Sequence, residues 1–454
     1  MVFLGAASVA SFSLLGTGCV GMGQGKSSTQ LAAGRASVPT PDIEELLAKM
    51  TLEEKVGQMT QVDWKLVKNT DDIRKRFIGG VLNGGEQRPD PNTLANWAKV
   101  VTSMQTRALS TRLGIPMIYG TDAVHGMALI RGATVFPHNI GLGCTRNPEL
   151  IEKVGRVAAL EIRAAGIPWA FSPCIAVPRD ERWGRTYEGF GETPELAETM
   201  GAAIIKGMQG EPGQPDAVMA CAKHFLADGG TANGKDQGDA ICSEQELRAI
   251  HLPGYIAAIK AGVASIMVSY SKWNGQFMHA QKYLITDVLK GELKFEGFVV
   301  SDWEGIATIP GSNEQKVEAA INAGVDMGMV PTSYEWYIKA LKSLVEKGKV
   351  PMSRVDDAVR RILKQKARFK LWEQPYPNTS FASEFGSPEH RAVARDAVRQ
   401  SAVLLKNQGV LPLPKKGRIL VVGSKADDIG IQCGGWTTGW YGRRGNVTPG
   451  TTIL

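Results

Sequence analysis

The stretch Gly297-Phe298-Val299-Val300-Ser301-Asp302-Trp303-Glu304-Gly305 brings a carboxylate and a flat aromatic ring to the end of an apolar run. A carboxylate so placed can attack an acetal carbon, and an indole face can hold a sugar ring by stacking during that attack. Lys223 and His224 follow another apolar run and offer donors to sugar hydroxyls. Neighbours on a strand point to opposite faces, so both reach one ligand only where the strand has ended. Asp122, in Tyr119-Gly120-Thr121-Asp122-Ala123-Val124-His125-Gly126, is an acceptor able to bridge two hydroxyls, and Arg185 presents a rigid fork of donors. Tyr270 ends a further apolar run. Trp436 and Trp440 lie in a glycine-rich stretch that indicates a loop. Exposed tryptophan there suits stacking on a sugar, with packing at a domain interface as the alternative. Cleavage of a glycosidic bond with retention needs two carboxyl groups roughly 5–5.5 Å apart, one to attack and one to protonate the leaving oxygen. Asp302 suits the attack; the competing reading makes it the cap of a following helix.

These groups need elements that carry them to one place. Eight short apolar runs qualify as strands: 57–63, 77–83, 115–122, 168–173, 218–225, 264–270, 297–302 and 325–330. Helix-like stretches such as 148–165, 244–261 and 313–323 separate them, and a last helix covers 354–370. Nearly continuous apolar strands alternating with helices predict a parallel sheet covered on both faces. The fold class expected is α/β: a (β/α)8 TIM-like barrel over residues 38–372, followed by the truncated start of an α/β sandwich domain. In a barrel the active site lies at the C-terminal strand ends. Those ends supply Asp63 and Trp64, Asn83, Asp122, Lys223 and His224, Tyr270, then Asp302 and Trp303. Residues 373–389 read as a linker, and 390–454 as an incomplete second domain with a helix over 389–405 and a strand over 418–423. That strand is followed by none of the glycine patterns that cradle phosphates, which argues against a nucleotide site.

Composition narrows the classes. A chain of 454 residues with 43% hydrophobic and 21% charged content is an ordinary globular protein. The net charge of +7 comes from scattered Lys and Arg rather than a basic run, so no nucleic-acid partner is implied. The six cysteines show no metal-type spacing, and neither metal nor cofactor is expected. Residues 2–18 are small and apolar and lead to Cys19, with a Gly/Ser-rich run to residue 37. This reads as an export segment, 1–37, with Cys19 the candidate for lipid attachment. Periplasmic, membrane-anchored and secreted destinations are all compatible with it.

Together Gly120-Thr121-Asp122-Ala123-Val124-His125-Gly126, Arg182-Trp183-Gly184-Arg185-Thr186-Tyr187-Glu188, Ala222-Lys223-His224-Phe225, Met267-Val268-Ser269-Tyr270, the Asp302 stretch and Gly434-Gly435-Trp436-Thr437 have a specific resemblance. The chain resembles glycoside hydrolase family 3, in particular its two-domain β-glucosidases and exo-β-(1,3/1,4)-glucanases. The resemblance implies retaining, exo-acting release of terminal non-reducing β-D-glucosyl units from β-glucans, cello-oligosaccharides or β-glucosides. It implies Asp302 as nucleophile, and Asp122, Arg185, Lys223, His224 and Tyr270 as holders of the terminal glucose. Trp303 and Trp440 would clamp the adjoining sugar, assisted by Trp436. The acid/base it implies is a glutamate of the second domain, expected beyond residue 454. The loop 226–230 also lacks the histidine used by a single-domain branch. A sugar-binding protein with crippled catalysis and a family β-xylosidase are the alternatives.

Overall fold

The computed structural model describes residues 38–454; the expected export segment and Cys19 lie outside the described residues. Eight parallel strands organise the chain: β1 (Thr60–Asp63), β2 (Gly80–Asn83), β3 (Ile118–Thr121), β4 (Trp169–Ala170), β5 (Cys221–Phe225), β6 (Ser265–Val268), β7 (Phe298–Val300) and β8 (Gly328–Met329). They pair in two arcs, β8-β1-β2-β3-β4 and β7-β6-β5. Single bridges run from Trp169 to Met219 and from Cys174 to Lys223 at one junction, and from Val300 to Met327 at the other. Every residue of these strands is buried, as strands covered on both faces require. The result is a TIM-barrel-like α/β fold with helices outside the strands. Trp169 donates its indole N–H to Ser265 Oγ at 2.9 Å, a polar tie between β4 and β6 inside the buried core.

The strands occupy the expected places but are shorter. Residues 57 and 58 belong to the helix Leu52–Gln58, which a capping box between Thr51 and Glu54 launches. The stretch 244–261 is not one helix. It divides into Glu244–Glu246, a wider π turn Leu247–His251, and Pro253–Lys260, because Pro253 has no N–H to continue the ladder. The helices Pro148–Ala164, Asn313–Ala323, Met352–Arg368 and Pro388–Ser401 fall within a few residues of expectation. The strand expected over 418–423 does not form. Ile419 and Leu420 are exposed, and no strand among the described residues lies beside them to take up their backbone groups. Strand propensity without a pairing neighbour is not enough.

Among the described residues no helix is long and apolar enough to cross a membrane. Their five cysteines are all free thiols.

Helix Pro388–Ser401 is fastened through one buried carboxylate. Glu161, 1% exposed on helix Pro148–Ala164, accepts from the Thr134 N–H (2.8 Å), the Thr134 hydroxyl (2.7 Å) and the Gly386 N–H (3.0 Å). His390 Nδ1 lies 2.9 Å from the same carboxylate. Removing Glu161 strands these buried partners without acceptors. Glu161→Ala is therefore expected to lower unfolding free energy by about 3 kcal/mol in urea titrations, and Glu161→Gln by clearly less.

Candidate active site

The strand ends open into a cavity of about 300 Å³. Asp302 stands at its base, where β7 has ended, and is 9% exposed. Its N–H donates to His279 Nε2 at 3.0 Å, and its Oδ1 accepts the Trp303 N–H at 2.6 Å. Burial pushes its carboxyl up to about 6, against the opposing pull of Arg185, the Trp303 N–H and Lys223. No helix-capping bond engages the carboxylate. Burial holds His279 down at about 3, so the ring is neutral and free to accept at Nε2.

Lys223 and His224 both reach this base because the β5–β6 register shifts between Ala222 and Phe225. Lys223 Nζ donates to Asp122 Oδ1 at 2.7 Å. His224 Nε2 lies 3.1 Å from Arg185 Nη2 and 3.9 Å from Asp302 Oδ2. Burial first, then the charges of Arg185 and Lys223, hold His224 well below its usual range. The ring is thus neutral, accepts from Arg185 at Nε2, and keeps its proton on Nδ1. That atom is 2.9 Å from Asp228 Oδ2 but off line for a hydrogen bond. Burial pushes the Asp228 carboxyl up to about 6 as well.

Arg185 is held by Glu188, which accepts from Nε (2.8 Å) and Nη2 (2.9 Å). Glu188 is fully buried, and burial, the largest single influence, would raise its pKa; the charge and hydrogen bonds of Arg185 together with the charge of Lys223 outweigh that and bring it to about 2. A third donor, the Trp436 indole N–H, reaches Glu188 Oε1 at 3.0 Å. One carboxylate therefore fixes both an arginine of the cavity and a tryptophan of the 434–443 loop. Burial, followed by the Asp302 charge, raises Tyr270 above the ordinary phenol range, so its hydroxyl keeps its proton as a donor.

The aromatic wall is positioned by polar grips. Trp440 donates its N–H to Glu86 Oε1 (2.9 Å), Arg443 Nη2 donates to Glu86 Oε2 (2.7 Å), and Arg88 Nη1 donates to the Thr438 carbonyl (2.7 Å). Behind the loop His125 and His138 stack at 4.0 Å; His138 Nε2 donates to the Gly435 carbonyl (2.9 Å). On the other side Trp303 projects inward while Glu304 is drawn outward to the Thr332 N–H at 2.8 Å and hydroxyl at 2.7 Å. Between them pass Gly84 and Gly85, where side chains cannot fit. A Cβ on Gly84 would lie 2.7 Å from the Trp303 ring, and one on Gly85 would lie 2.7 Å from Trp440 Cβ.

Asp122, Arg185, Lys223, His224, Tyr270, Asp302, Trp303, Trp436 and Trp440 all line this one cavity. Asp63, Trp64 and Asn83, also read as strand-end chemistry, do not. Asp63 is buried and accepts the N–H groups of Lys65, Leu66 and Gly84, which shapes the loop under the tryptophans. Sequence reasoning passed over Glu86, Glu188, Asp228 and His279 as separate contributors. Glu188 alone had a local signal, an acid three residues beyond Arg185.

The glycosyl hydrolase family 3 N terminal domain matches residues 51–365, and the chain belongs to that family. It is 35% identical to the lysosomal beta glucosidase of Dictyostelium discoideum, covering 91% of this chain and 55% of that protein. It is 36% identical to the periplasmic beta-glucosidase of Salmonella typhimurium, covering 87% and 52%. The crystal structure of exo-1,3/1,4-beta-glucanase from a Pseudoalteromonas species superposes with a TM-score of 0.84 at 43% identity, covering 88% of this chain and 52% of that one. The chain thus spans about half the length of these proteins.

Gly85→Ala is expected to push the Trp440 backbone outward, because the added methyl meets main-chain-proximal atoms that cannot swing aside. An overpacking cost of about 2 kcal/mol follows, read in thermal unfolding, together with a changed tryptophan emission spectrum.

Proposed function

We propose that this protein is a retaining glycosidase that releases terminal non-reducing β-D-glucosyl units from β-glucans, cello-oligosaccharides or β-glucosides. The observation that carries the reading is a single buried carboxylate, Asp302, in a cavity whose lining joins charged groups to the rings of Trp303, Trp436 and Trp440. In this reading Asp302 attacks the anomeric carbon. Asp122, Arg185, Lys223, His224 and Tyr270 hold the terminal sugar through its hydroxyls. The indoles of Trp303, Trp436 and Trp440 hold the leaving sugar by its C–H face, which tolerates several linkages. The names of the Dictyostelium, Salmonella and Pseudoalteromonas proteins support this choice of substrate.

The lining also contains the carboxylates of Glu86 and Asp236. Glu86 is engaged by Arg443 and the Trp440 N–H, and Asp236 by the Trp183 indole N–H at 3.1 Å. We assign the acid/base role to neither of them, nor to Asp122. We infer further that the eight strands close into a barrel, a reading supported by the bridges at both junctions of the two arcs. Export is inferred from the apolar leader pattern and from the periplasmic name of the Salmonella relative.

Asp302→Asn should lower turnover of a dinitrophenyl β-glucoside by about 10⁴-fold. It should also stabilise the fold. The carboxyl is raised from 3.8 to about 6 on folding, so its ionised form opposes folding by roughly 3 kcal/mol above pH 6, a cost that vanishes below about 3.8. At neutral pH the variant should therefore melt higher, whereas an unchanged rate would refute the assignment.

The same carboxyl sets a pH limb. Attack needs the anion, so kcat/KM should fall as pH drops through about 6. Asp228 titrates in the same range nearby, and the apparent value belongs to the pair. A rate constant that stays level down to about pH 4 would contradict this.

A further inference from the structure

Three aromatic rings form a graded series along the cavity loop. Trp436 is 7% exposed, Trp440 40% and Tyr441 81%. The ring centroids of Trp436 and Trp440 lie 6.1 Å apart, and those of Trp440 and Tyr441 4.8 Å apart with planes at 28°. The first two rings line the cavity and the third lies beyond its lining. Tyr441 stacks on Trp440 with an offset and keeps most of its surface open, so the overlap is partial and the outer ring carries the aromatic surface one step further out of the cavity. The face is held still. The Trp436 N–H donates to the Trp440 carbonyl at 2.9 Å, the Gly442 N–H donates to the Gly439 carbonyl at 3.0 Å, and Glu86 grips both Trp440 and Arg443.

We propose that Trp440 and Tyr441 form one aromatic shelf that leads out of the cavity and receives a further sugar of a β-linked glucan chain, two units beyond the bond to be cleaved. This rests on the glycosidase reading and adds a preference for chains of three or more sugars over disaccharides. The occupant follows from continuity: a chain whose terminal unit sits at Asp302 and whose next unit lies against Trp440 must leave along that loop. A preordered aromatic face binds such a unit with little entropy to lose.

The test uses the non-hydrolysing Asp302→Asn protein and calorimetric titration with cellobiose, cellotriose, laminaribiose and laminaritriose. Tyr441→Ala should reduce the ratio of trisaccharide to disaccharide affinity about ten-fold for at least one linkage, and Tyr441→Phe should retain the ratio. An unchanged ratio overturns the shelf. Equal weakening of disaccharide and trisaccharide also overturns it, since the ring would then be only a prop for Trp440. A protein that binds disaccharide but shows either result leaves the glycosidase reading standing; one that binds none of the four sugars overturns both.

Discussion

Everything at the mouth of this fold depends on keeping one carboxylate, Asp302, out of water yet able to ionise. Burial opposes the charge, while Arg185 and Lys223 restore it, and the balance settles at about 6. Lys223 is buried and Arg185 partly so, and both need counter-charges: Glu188 for Arg185 at 2.8 Å, Asp122 for Lys223 at 2.7 Å. His224 stays neutral between them because it is buried and two cations face it. The arrangement is a chain of mutual obligations, in which removing a charge leaves its partner stranded in a poorly solvated site. That explains why several charged groups crowd a cavity of only about 300 Å³.

The second dependency joins the strand ends to the distant 434–443 loop. Glu188 makes two contacts with Arg185 and one with the Trp436 indole. Glu86, His125 and His138 hold the same loop from other strand ends, with Thr437 bonded to His125 Nε2 at 3.1 Å. The groups around Asp302 and the aromatic wall are therefore set by shared side chains. Gly84 and Gly85 complete the arrangement by being absent as side chains, letting the wall close against the backbone.

The strands were legible because burial on both faces leaves an unmistakable apolar run, and their polar ends pointed to the cavity. Asp302, Lys223, His224 and Asp122 could be read from such ends. The same rule misread Asp63, which the fold uses to accept three backbone N–H groups. A strand-end carboxylate looks alike in either use until the turn that follows it is known. Glu86 was hidden because its partners, Trp440 and Arg443, lie far along the chain, and so was the tie from Glu188 to Trp436, although Arg185 stands only three residues from Glu188. Residues 418–423 show the opposite failure: local propensity pointed to a strand, but pairing is a property of neighbours, and none is present among the described residues.

The central claim, that Asp302 is the attacking group, is tested most directly by trapping. A dinitrophenyl 2-deoxy-2-fluoro-β-glucoside carries a leaving group that needs no proton and slows the second step, so a glycosyl-enzyme should accumulate. Peptide mass spectrometry is predicted to find the fluoroglucosyl mass on the peptide containing Asp302, in an ester that hydroxylamine releases. Labelling of another carboxylate, or hydrolysis that proceeds with inversion and no adduct, would contradict the account.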